Sequence, residues 1–288
     1  MNVLRQFMAA LCVALATVAS VAHATDGRAL AAAGLPADAP MGLIPAVKSG
    51  LSFVRSFPAE GGLTGYILTR KAGTARYVLA YSVTGGQDVL LGKLVDAKGE
   101  DLTRQYLDQY APKIDPVAYT ARIQSAPAIV EGATDGAAKA TIYVFMDPNC
   151  YYCHLTWMEL QSYEAAGLQV RWIPVGIIKA DSLAKSAALL DSPTPAAALH
   201  RLETNFDEAG ESGGIAPEFP VPAATQAAIT ANFELMQDMG FLGTPTVLYR
   251  DASGKLTAHE GIPKLSELPA ITGLPAQTVS APELQRWK

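Results

Sequence analysis

Two cysteines, Cys150 and Cys153, stand directly after an apolar run in this chain. The run Thr141–Met146 predicts a buried strand, and the segment after it is Asp147-Pro148-Asn149-Cys150-Tyr151-Tyr152-Cys153-His154. A helix is predicted to begin at the cysteines. A thiolate at a helix N-terminus faces unpaired backbone N–H groups and the positive end of the helix dipole, so its pKa falls. Because the spacing also brings a second thiol within reach, the pattern indicates redox chemistry.

The N-terminal residues have the pattern of a secretory signal. Arg5 precedes an apolar stretch over Phe7–Val21, and Ala22-His23-Ala24 is a small-residue cleavage site. We expect residues 1–24 to be removed as a signal peptide during export. A retained membrane anchor is the alternative, but the apolar stretch is shorter than a comfortable span.

Export leaves two of the three cysteines, because Cys12 lies within the predicted signal. Disulfides persist in exported proteins. A bridge between Cys150 and Cys153 closes a loop too short to restrict the unfolded chain, so it adds little stability. A functional pair is therefore the better interpretation.

Charge and length narrow the function classes further. The formal net charge of −5 becomes −6 without Arg5, and no run rich in lysine or arginine is present, so nucleic acid is not an expected partner. Cleavage after Ala24 leaves 264 of the 288 residues, enough for two domains with separate cores.

Residues 25–100 are predicted to form a small antiparallel sheet domain. Residues 25–50 are rich in alanine, proline and glycine, and we expect a mobile lead-in with one short helix. Apolar runs separated by glycine-containing turns predict four strands. They are Leu51–Phe57, Thr64–Arg70, Ala75–Val83 and Val89–Val95.

A two-part helical linker is predicted over residues 101–130. The helical period places Leu102, Tyr106 and Tyr110 on one face, and Pro112 and Pro116 interrupt it. A long segment without a predicted strand joins domains more naturally than it sits within one.

Residues 131–288 are predicted to form a thioredoxin-like domain with a helical insertion. The strand at Thr141–Met146, the cysteine-bearing helix and a strand at Leu168–Pro174 form a β-α-β unit. Helices follow at Asp181–Leu190, Ala196–Phe206 and Ala223–Met239. The domain ends with Gly243-Thr244-Pro245, strands at Thr246–Arg250 and Leu256–Glu260, and a helix near Leu265–Thr272.

Several motifs in this order resemble the DsbC/DsbG family of periplasmic thiol:disulfide interchange proteins, with DsbG the nearer branch. The segment Val144–Cys153 is similar to the active-site stretch of DsbG, and Val175–Lys179 resembles the sequence after its next strand. Gly61–Tyr66 is similar to its N-terminal domain. The resemblance covers nearly all of residues 45–270.

The resemblance implies a V-shaped homodimer in the periplasm. Cystatin-like α+β N-terminal domains pair, helical linkers rise from them, and two thioredoxin-like domains face each other. It implies isomerase or reductase work on cysteine-containing exported proteins, rescue of sulfenylated cysteines and chaperone-like binding. The implied electron donor is a membrane reductase resembling DsbD. Neither a cofactor nor a metal is expected.

Cys150, accessible at the helix start, is the expected nucleophile, and partly buried Cys153 is the expected resolving thiol. By resemblance, the Thr244–Pro245 bond is cis and lies against this pair, with the Thr244 backbone free to bind an extended substrate. Its hydroxyl is also expected near the Cys150 sulfur. Tyr151 and Tyr152 are candidate substrate contacts, although packing explains one of them equally well.

One residue departs from the family pattern. The family usually has proline after the first active-site cysteine, where this chain has Tyr151. Residues between the cysteines help set the relative stability of the dithiol and disulfide forms, and about 30 mV corresponds to about 1.4 kcal/mol. The sequence therefore indicates the reaction class more directly than it indicates the direction of electron flow.

Other functions remain open. Cys150-x-x-Cys153-His154 matches the attachment pattern of a c-type haem, but the preceding strand and the later Thr244-Pro245 favour the redox interpretation, with His154 on the helix surface. A non-enzymatic periplasmic chaperone is a second alternative, and an oxidant resembling DsbA is a third. A structural zinc site is disfavoured because it needs four ligands.

Overall fold

A computed structural model describes residues 28–70, 72–134, 136–279 and 283–284. The predicted signal peptide, residues 1–24, lies outside these described residues. The chain divides into two compact units, with the boundary along the sequence between Lys113 and Ile114. This boundary lies within the predicted linker, whose role in joining two domains stays a prediction.

The first unit is a four-stranded antiparallel sheet with short helices. Its strand order is β1-β2-β3-β4. In chain order the elements are α1 (residues 28–32), a 3-10 turn (Met41–Leu43), α2 (Ile44–Lys48), β1 (Ser52–Ala59), a 3-10 turn (Glu60–Gly62), β2 (Leu63–Thr69), β3 (Tyr77–Val83), β4 (Leu90–Leu91) and α3 (Thr103–Tyr110).

The two faces of this sheet carry separate apolar clusters, because successive side chains of β2 point to opposite faces. Leu68 packs with Leu30 and Leu43 from the N-terminal segment. Ile67 packs on the other face with Leu79 and with Tyr106 of α3. The expectation of a mobile lead-in is wrong for residues 28–50, since their leucines fill one of the two clusters.

The fourth strand is shorter than predicted. The sequence predicted Val89–Val95, but β4 contains only Leu90 and Leu91, which pair with Tyr81 and Ala80. Beyond them Val95 forms only an isolated bridge with Asp101. A short, exposed edge strand therefore closes the sheet.

The second unit has a five-stranded sheet in the order β5-β7-β6-β8-β9, in which β6 and β7 are parallel and the other pairs antiparallel. Its elements are a 3-10 turn (Pro116–Tyr119), α4 (Thr120–Ser125), β5 (Ile129–Gly132), β6 (Ala140–Met146), α5 (Tyr151–Ala165), β7 (Leu168–Pro174), α6 (Ser182–Leu190), α7 (Pro195–Thr204), α8 (Ala223–Asp238), β8 (Thr246–Arg250), β9 (Leu256–Glu260) and α9 (Leu268–Thr272).

The predicted thioredoxin-like arrangement is confirmed, including the β-α-β unit, the closing hairpin and the inserted helices α6 to α8. Strand β6 has an almost continuous apolar sequence because both of its faces are covered. Val144 packs into one core and Phe145 into the other. Strand β5 was not predicted, so the second unit has one more strand than its sequence pattern indicated.

Within the described part of the chain, no helix combines the length and the apolar character needed to cross a membrane.

Candidate active site

Cys150 is the N-cap residue of α5, in extended conformation, at the point where the chain leaves β6 and turns into the helix. Its Sγ accepts a hydrogen bond from the backbone N–H of Cys153, with an N–S distance of 3.1 Å. The helix N-terminus thus presents a donor to this sulfur, as the sequence predicted. The sulfur is more enclosed than predicted, because only 4% of Cys150 is exposed.

Cys153 is fully buried one turn into α5. Burial, followed by its interaction with the neighbouring sulfur, raises the pKa of the Cys153 thiol well above its ordinary value. The pKa of Cys150 is lowered instead, chiefly because the Cys153 thiol donates a hydrogen bond to it, while burial opposes this shift. The pair therefore contains one thiol that ionises readily and one that holds its proton.

The Thr244–Pro245 peptide bond is cis and lies against Cys150. The Cys150 thiol donates a hydrogen bond to the Thr244 carbonyl oxygen, 3.4 Å away. The Thr244 hydroxyl oxygen is buried and has no hydrogen-bond partner in the described structure. The structure thus brings together Cys150, Cys153, Thr244 and Pro245, four of the predicted site residues.

Tyr151 and Tyr152 differ in their surroundings. Tyr152 is 49% exposed, whereas Tyr151 is half-buried, with its ring centre 6.5 Å from that of Phe206. The two tyrosine rings lie 5.8 Å apart. Tyr152 is therefore the more accessible of the two candidate substrate contacts, and Tyr151 is partly a packing residue.

His154 is buried, so its predicted place on the helix surface is wrong. Its Nδ1 lies 2.9 Å from Oε2 of Glu203, which comes from α7 and is also buried. The imidazole stacks on Phe206 with a centroid distance of 4.5 Å. Burial raises the pKa of Glu203, and the interaction with His154 opposes that shift. The inserted helix α7 covers the histidine, which the sequence of α5 alone does not reveal.

Polar side chains fix the turn that precedes Cys150. Asp147 is buried, and its carboxylate accepts hydrogen bonds from the backbone N–H groups of Asn149, Ile177 and Ile178, at 2.9, 2.5 and 3.0 Å. The Ser182 hydroxyl donates to the same carboxylate at 2.7 Å. Asp147 also acts on the site through its charge, which works against ionisation of Cys150.

Exposed apolar side chains lie close to this turn. Ile177 and Ile178 are exposed although their N–H groups bind Asp147, and Leu242 is exposed two residues before Thr244. Together with Tyr152 they provide apolar surface near the cysteine pair. Ile177 and Ile178 fall within the Val175–Lys179 motif, but neither they nor Leu242 were predicted as site residues, because single exposed apolar residues carry no distinct sequence signal.

Comparison with known proteins assigns the chain to a family. Residues 128–272 match the model of the thioredoxin-like domain. The thiol:disulfide interchange protein DsbG of Pseudomonas aeruginosa is 37% identical over 251 residues, which cover 86% of this chain and 92% of that protein. The chain belongs to the DsbC/DsbG family. As a family member it is a thiol:disulfide oxidoreductase/isomerase.

More distant DsbC/DsbG proteins match as well. DsbG of Escherichia coli K12 is 28% identical over 235 residues, covering 78% of this chain and 88% of that protein. DsbC of Haemophilus influenzae is 27% identical over 112 residues, covering 38% of this chain and 44% of that protein. The match to both DsbG proteins includes most of the chain, as the sequence motifs predicted.

Proposed function

We propose that this chain is a periplasmic enzyme that reduces or isomerises disulfides of exported proteins through Cys150 and Cys153. One observation carries the proposal: the Cys150 sulfur accepts the Cys153 N–H at the start of α5 and faces the cis Thr244–Pro245 bond. A thiolate at this position is stabilised by the helix N-terminus and is a nucleophile near neutral pH.

The first step is attack of the Cys150 thiolate on a substrate disulfide. The new bond joins Cys150 Sγ to one substrate sulfur, the substrate S–S bond breaks, and the other substrate sulfur leaves as a thiolate. Cys153 then loses its proton and attacks Cys150 Sγ, which releases the second substrate thiolate. The substrate gains two electrons, and the enzyme becomes a disulfide.

Because the pKa of Cys153 is raised, a protonated Cys153 delays release of the substrate by reduction. This delay gives isomerisation time to compete with reduction. During the delay a substrate thiolate can attack the substrate sulfur of the mixed disulfide, which forms a new substrate disulfide and releases Cys150 as a thiolate. Alternatively it attacks a nearby substrate disulfide, and the substrate thiolate freed in that step attacks the mixed disulfide and releases Cys150. With a sulfenic acid as substrate, Cys150 attacks the sulfenyl sulfur and the hydroxyl group leaves as water.

Substrate chains are proposed to bind beside the cis-proline turn. The backbone of Thr244 pairs with an extended segment around the substrate cysteine, and Pro245 packs against the sulfurs. Tyr152, which is exposed, contacts the substrate directly, and Tyr151 shapes the same edge from its half-buried position.

The remaining assignments follow from family membership and are proposals of the same kind. The chain is a homodimer formed through its first unit, and the signal in residues 1–24 delivers it to the periplasm. A membrane reductase resembling DsbD returns electrons to the Cys150–Cys153 disulfide.

The test is equilibrium of the mature protein with glutathione, with thiol trapping to obtain the Cys150–Cys153 potential. A reversible two-electron couple supports the proposal, and its reduction potential distinguishes a reductase or isomerase from an oxidant resembling DsbA. A Soret band from covalently attached haem, or cysteines that do not exchange, contradicts it.

A second candidate function is chaperone-like binding of unfolded chains. The exposed apolar side chains Tyr152, Ile177, Ile178 and Leu242 near the cysteine pair favour it. The test is suppression of aggregation of an unfolded client by a variant with both cysteines changed to alanine. Full suppression supports a binding function independent of exchange, and its loss contradicts it.

A further inference from the structure

Asn149, immediately before Cys150, lies in a buried network that joins three segments of the second unit. Only 1% of Asn149 is exposed. Its Nδ2 donates hydrogen bonds to Asp181 Oδ1 and to Ser182 Oγ, both at 2.9 Å. The carboxamide nitrogen thus ties the active-site turn to the start of α6.

The carboxamide oxygen of Asn149 accepts hydrogen bonds from the opposite side. Lys185 Nζ donates at 2.9 Å and the backbone N–H of Gly213 at 3.2 Å, with the Ser212 hydroxyl at 3.4 Å. All the hydrogen-bonding capacity of one small side chain is therefore used by protein groups, which fixes its position and rotamer.

Lys185 is a charge buried in the same network, with 4% of its surface exposed. Besides Asn149 it binds the Ser212 hydroxyl at 2.8 Å and pairs with Asp181 at 3.2 Å. A buried cation is strongly destabilising unless it is paired and fully hydrogen-bonded. Lys185 therefore favours one arrangement of Asn149 and Ser212 over others.

Ser212 and Gly213 belong to a loop, residues 207–214, between α7 and α8. This 207–214 loop closes on itself through reciprocal backbone hydrogen bonds between Asp207 and Ser212. A Cβ at Gly213 would lie 2.3 Å from the carbonyl oxygen of Pro148. The loop backbone thus packs directly on the active-site turn, at the two residues that precede Cys150.

The same turn sets the start of α5. The backbone N–H of Cys150 donates to the Asp147 carbonyl oxygen at 3.0 Å, so the position of Asn149 determines the direction in which Cys150 enters the helix. That direction controls the 3.1 Å contact between Cys150 Sγ and the Cys153 N–H. Hydrogen bonds to a charged sulfur are strong and depend on geometry.

We propose that Asn149 is a positioning residue for Cys150, held in place by Lys185 and the 207–214 loop, and that it sets the reactivity of the nucleophile. The inference rests on the proposed function, in which Cys150 is the attacking thiol. Without the carboxamide the turn relaxes, the N–H contact lengthens and the thiolate loses stabilisation. Stability of the thiolate favours the dithiol form, so its loss favours the disulfide.

The experiment measures alkylation of the reduced mature protein by iodoacetamide from pH 4 to pH 10, with peptide mass spectrometry to identify the labelled cysteine. For Asn149→Ala we expect Cys150 labelling at pH 6 to slow at least about threefold, with its pH midpoint moved upward. The equilibrium with glutathione should shift at least about threefold toward the disulfide.

Two further variants separate positioning from general loop stability. Ser212→Ala removes one hydroxyl from the network and should shift the same quantities in the same direction by less. Lys179→Met is the matched control, because Lys179 Nζ donates to the carbonyls of Gly210 and Glu211 at the tip of the same loop and is itself exposed. Its pH midpoint should stay unchanged.

An unchanged pH midpoint and potential for Asn149→Ala, with a lower melting temperature, would show a purely structural role and overturn the inference. An equal shift for Lys179→Met would overturn it as well. Failure of the proposed function has a different signature: in the unaltered protein, iodoacetamide would label Cys153 in preference to Cys150.

Discussion

The Cys150 thiol donates its hydrogen bond to the Thr244 carbonyl oxygen, 3.4 Å away. When the thiol loses its proton this bond is lost, because a thiolate can only accept. The Thr244 hydroxyl is buried without a partner in the described structure and is one of the groups that lower the Cys150 pKa. The same threonine thus offers an acceptor to the thiol and a donor to the thiolate.

Replacing Thr244 with valine removes the hydroxyl and keeps the shape of the side chain. We expect the Cys150 pKa to rise, because the thiolate loses a donor. Alkylation of Cys150 at pH 6 should slow by about threefold. Thr244→Ser is the control, since it keeps the hydroxyl and should retain the pH profile of the unaltered protein. An identical profile for the valine variant would remove Thr244 from the tuning of the thiolate.

Single cysteine variants should distinguish the two sulfurs. Cys150→Ala should abolish disulfide exchange, because fully buried Cys153 retains its proton at neutral pH. Cys153→Ala should accept substrate and stop at the mixed disulfide, since no resolving thiol remains. Non-reducing electrophoresis with a disulfide-containing client measures both outcomes. Covalent capture of the client by Cys150→Ala would reverse the proposed roles, and circular dichroism of each variant checks its folding.

Glu159 on α5 is a buried carboxyl group whose two oxygens have no hydrogen-bond partner within the described residues. Burial raises its pKa to about 8. Because the folded state holds this proton more tightly than the unfolded state does, the free energy of unfolding is highest below the unfolded pKa of the carboxyl group. The free energy of unfolding falls as pH rises toward about 8, because the folded state must then either bury a charge or retain a proton that the unfolded state has lost.

Glu159→Gln should therefore increase the free energy of unfolding at pH 8 by more than about 1 kcal/mol, since each pK unit corresponds to about 1.4 kcal/mol. The gain should shrink at pH 5, where the glutamate is protonated in the folded protein. Urea unfolding at both pH values measures the difference. Glu208→Gln, at an exposed position of the same unit, is the control. A gain that is equal at the two pH values would contradict the assignment.

The elements that sequence periodicity predicted best are those with a continuous local pattern. Strands Leu168–Pro174, Thr246–Arg250 and Leu256–Glu260 have the predicted bounds. Strand β5 lacked such a pattern, because it has four residues and one of them is the buried carboxylate Glu131, whose Oε2 accepts a hydrogen bond from Trp157 Nε1 at 3.0 Å. Its strand character depends on pairing with β7, which no local pattern reports.

The active-site residues also fall into those that a local sequence pattern predicts and those that depend on distant partners. The helix N-terminus at Cys150 follows from a motif of a few residues, and the cis bond before Pro245 is what the family resemblance implied. The burial of His154 depends on Glu203, 49 positions away, and the network at Asn149 depends on Lys185 and Gly213. Long-range partners of this kind require the folded topology, so a single sequence predicted the reacting atoms and missed the groups that hold them.

Within the homodimer proposed above, we propose that the edge strand β4 forms the contact between two copies of the first unit. Leu90 is 67% exposed, and Val83, Leu91 and Val95 are exposed with it. An unpaired apolar edge offers backbone hydrogen bonds and side-chain contacts to a second chain. Leu90→Lys should therefore convert the mature protein from a dimer to a monomer, because a charge would be buried at the contact.

Sedimentation equilibrium at micromolar protein measures this change. Val117→Lys is the matched control, since Val117 is also an exposed apolar residue but lies in the second unit, and this variant should stay dimeric. Cys150 alkylation in Leu90→Lys should keep its pH midpoint, because the groups that stabilise the thiolate, the N-terminus of α5 and the Thr244 hydroxyl, belong to the same unit as Cys150. A dimer that persists with lysine at position 90 would place the contact on another surface.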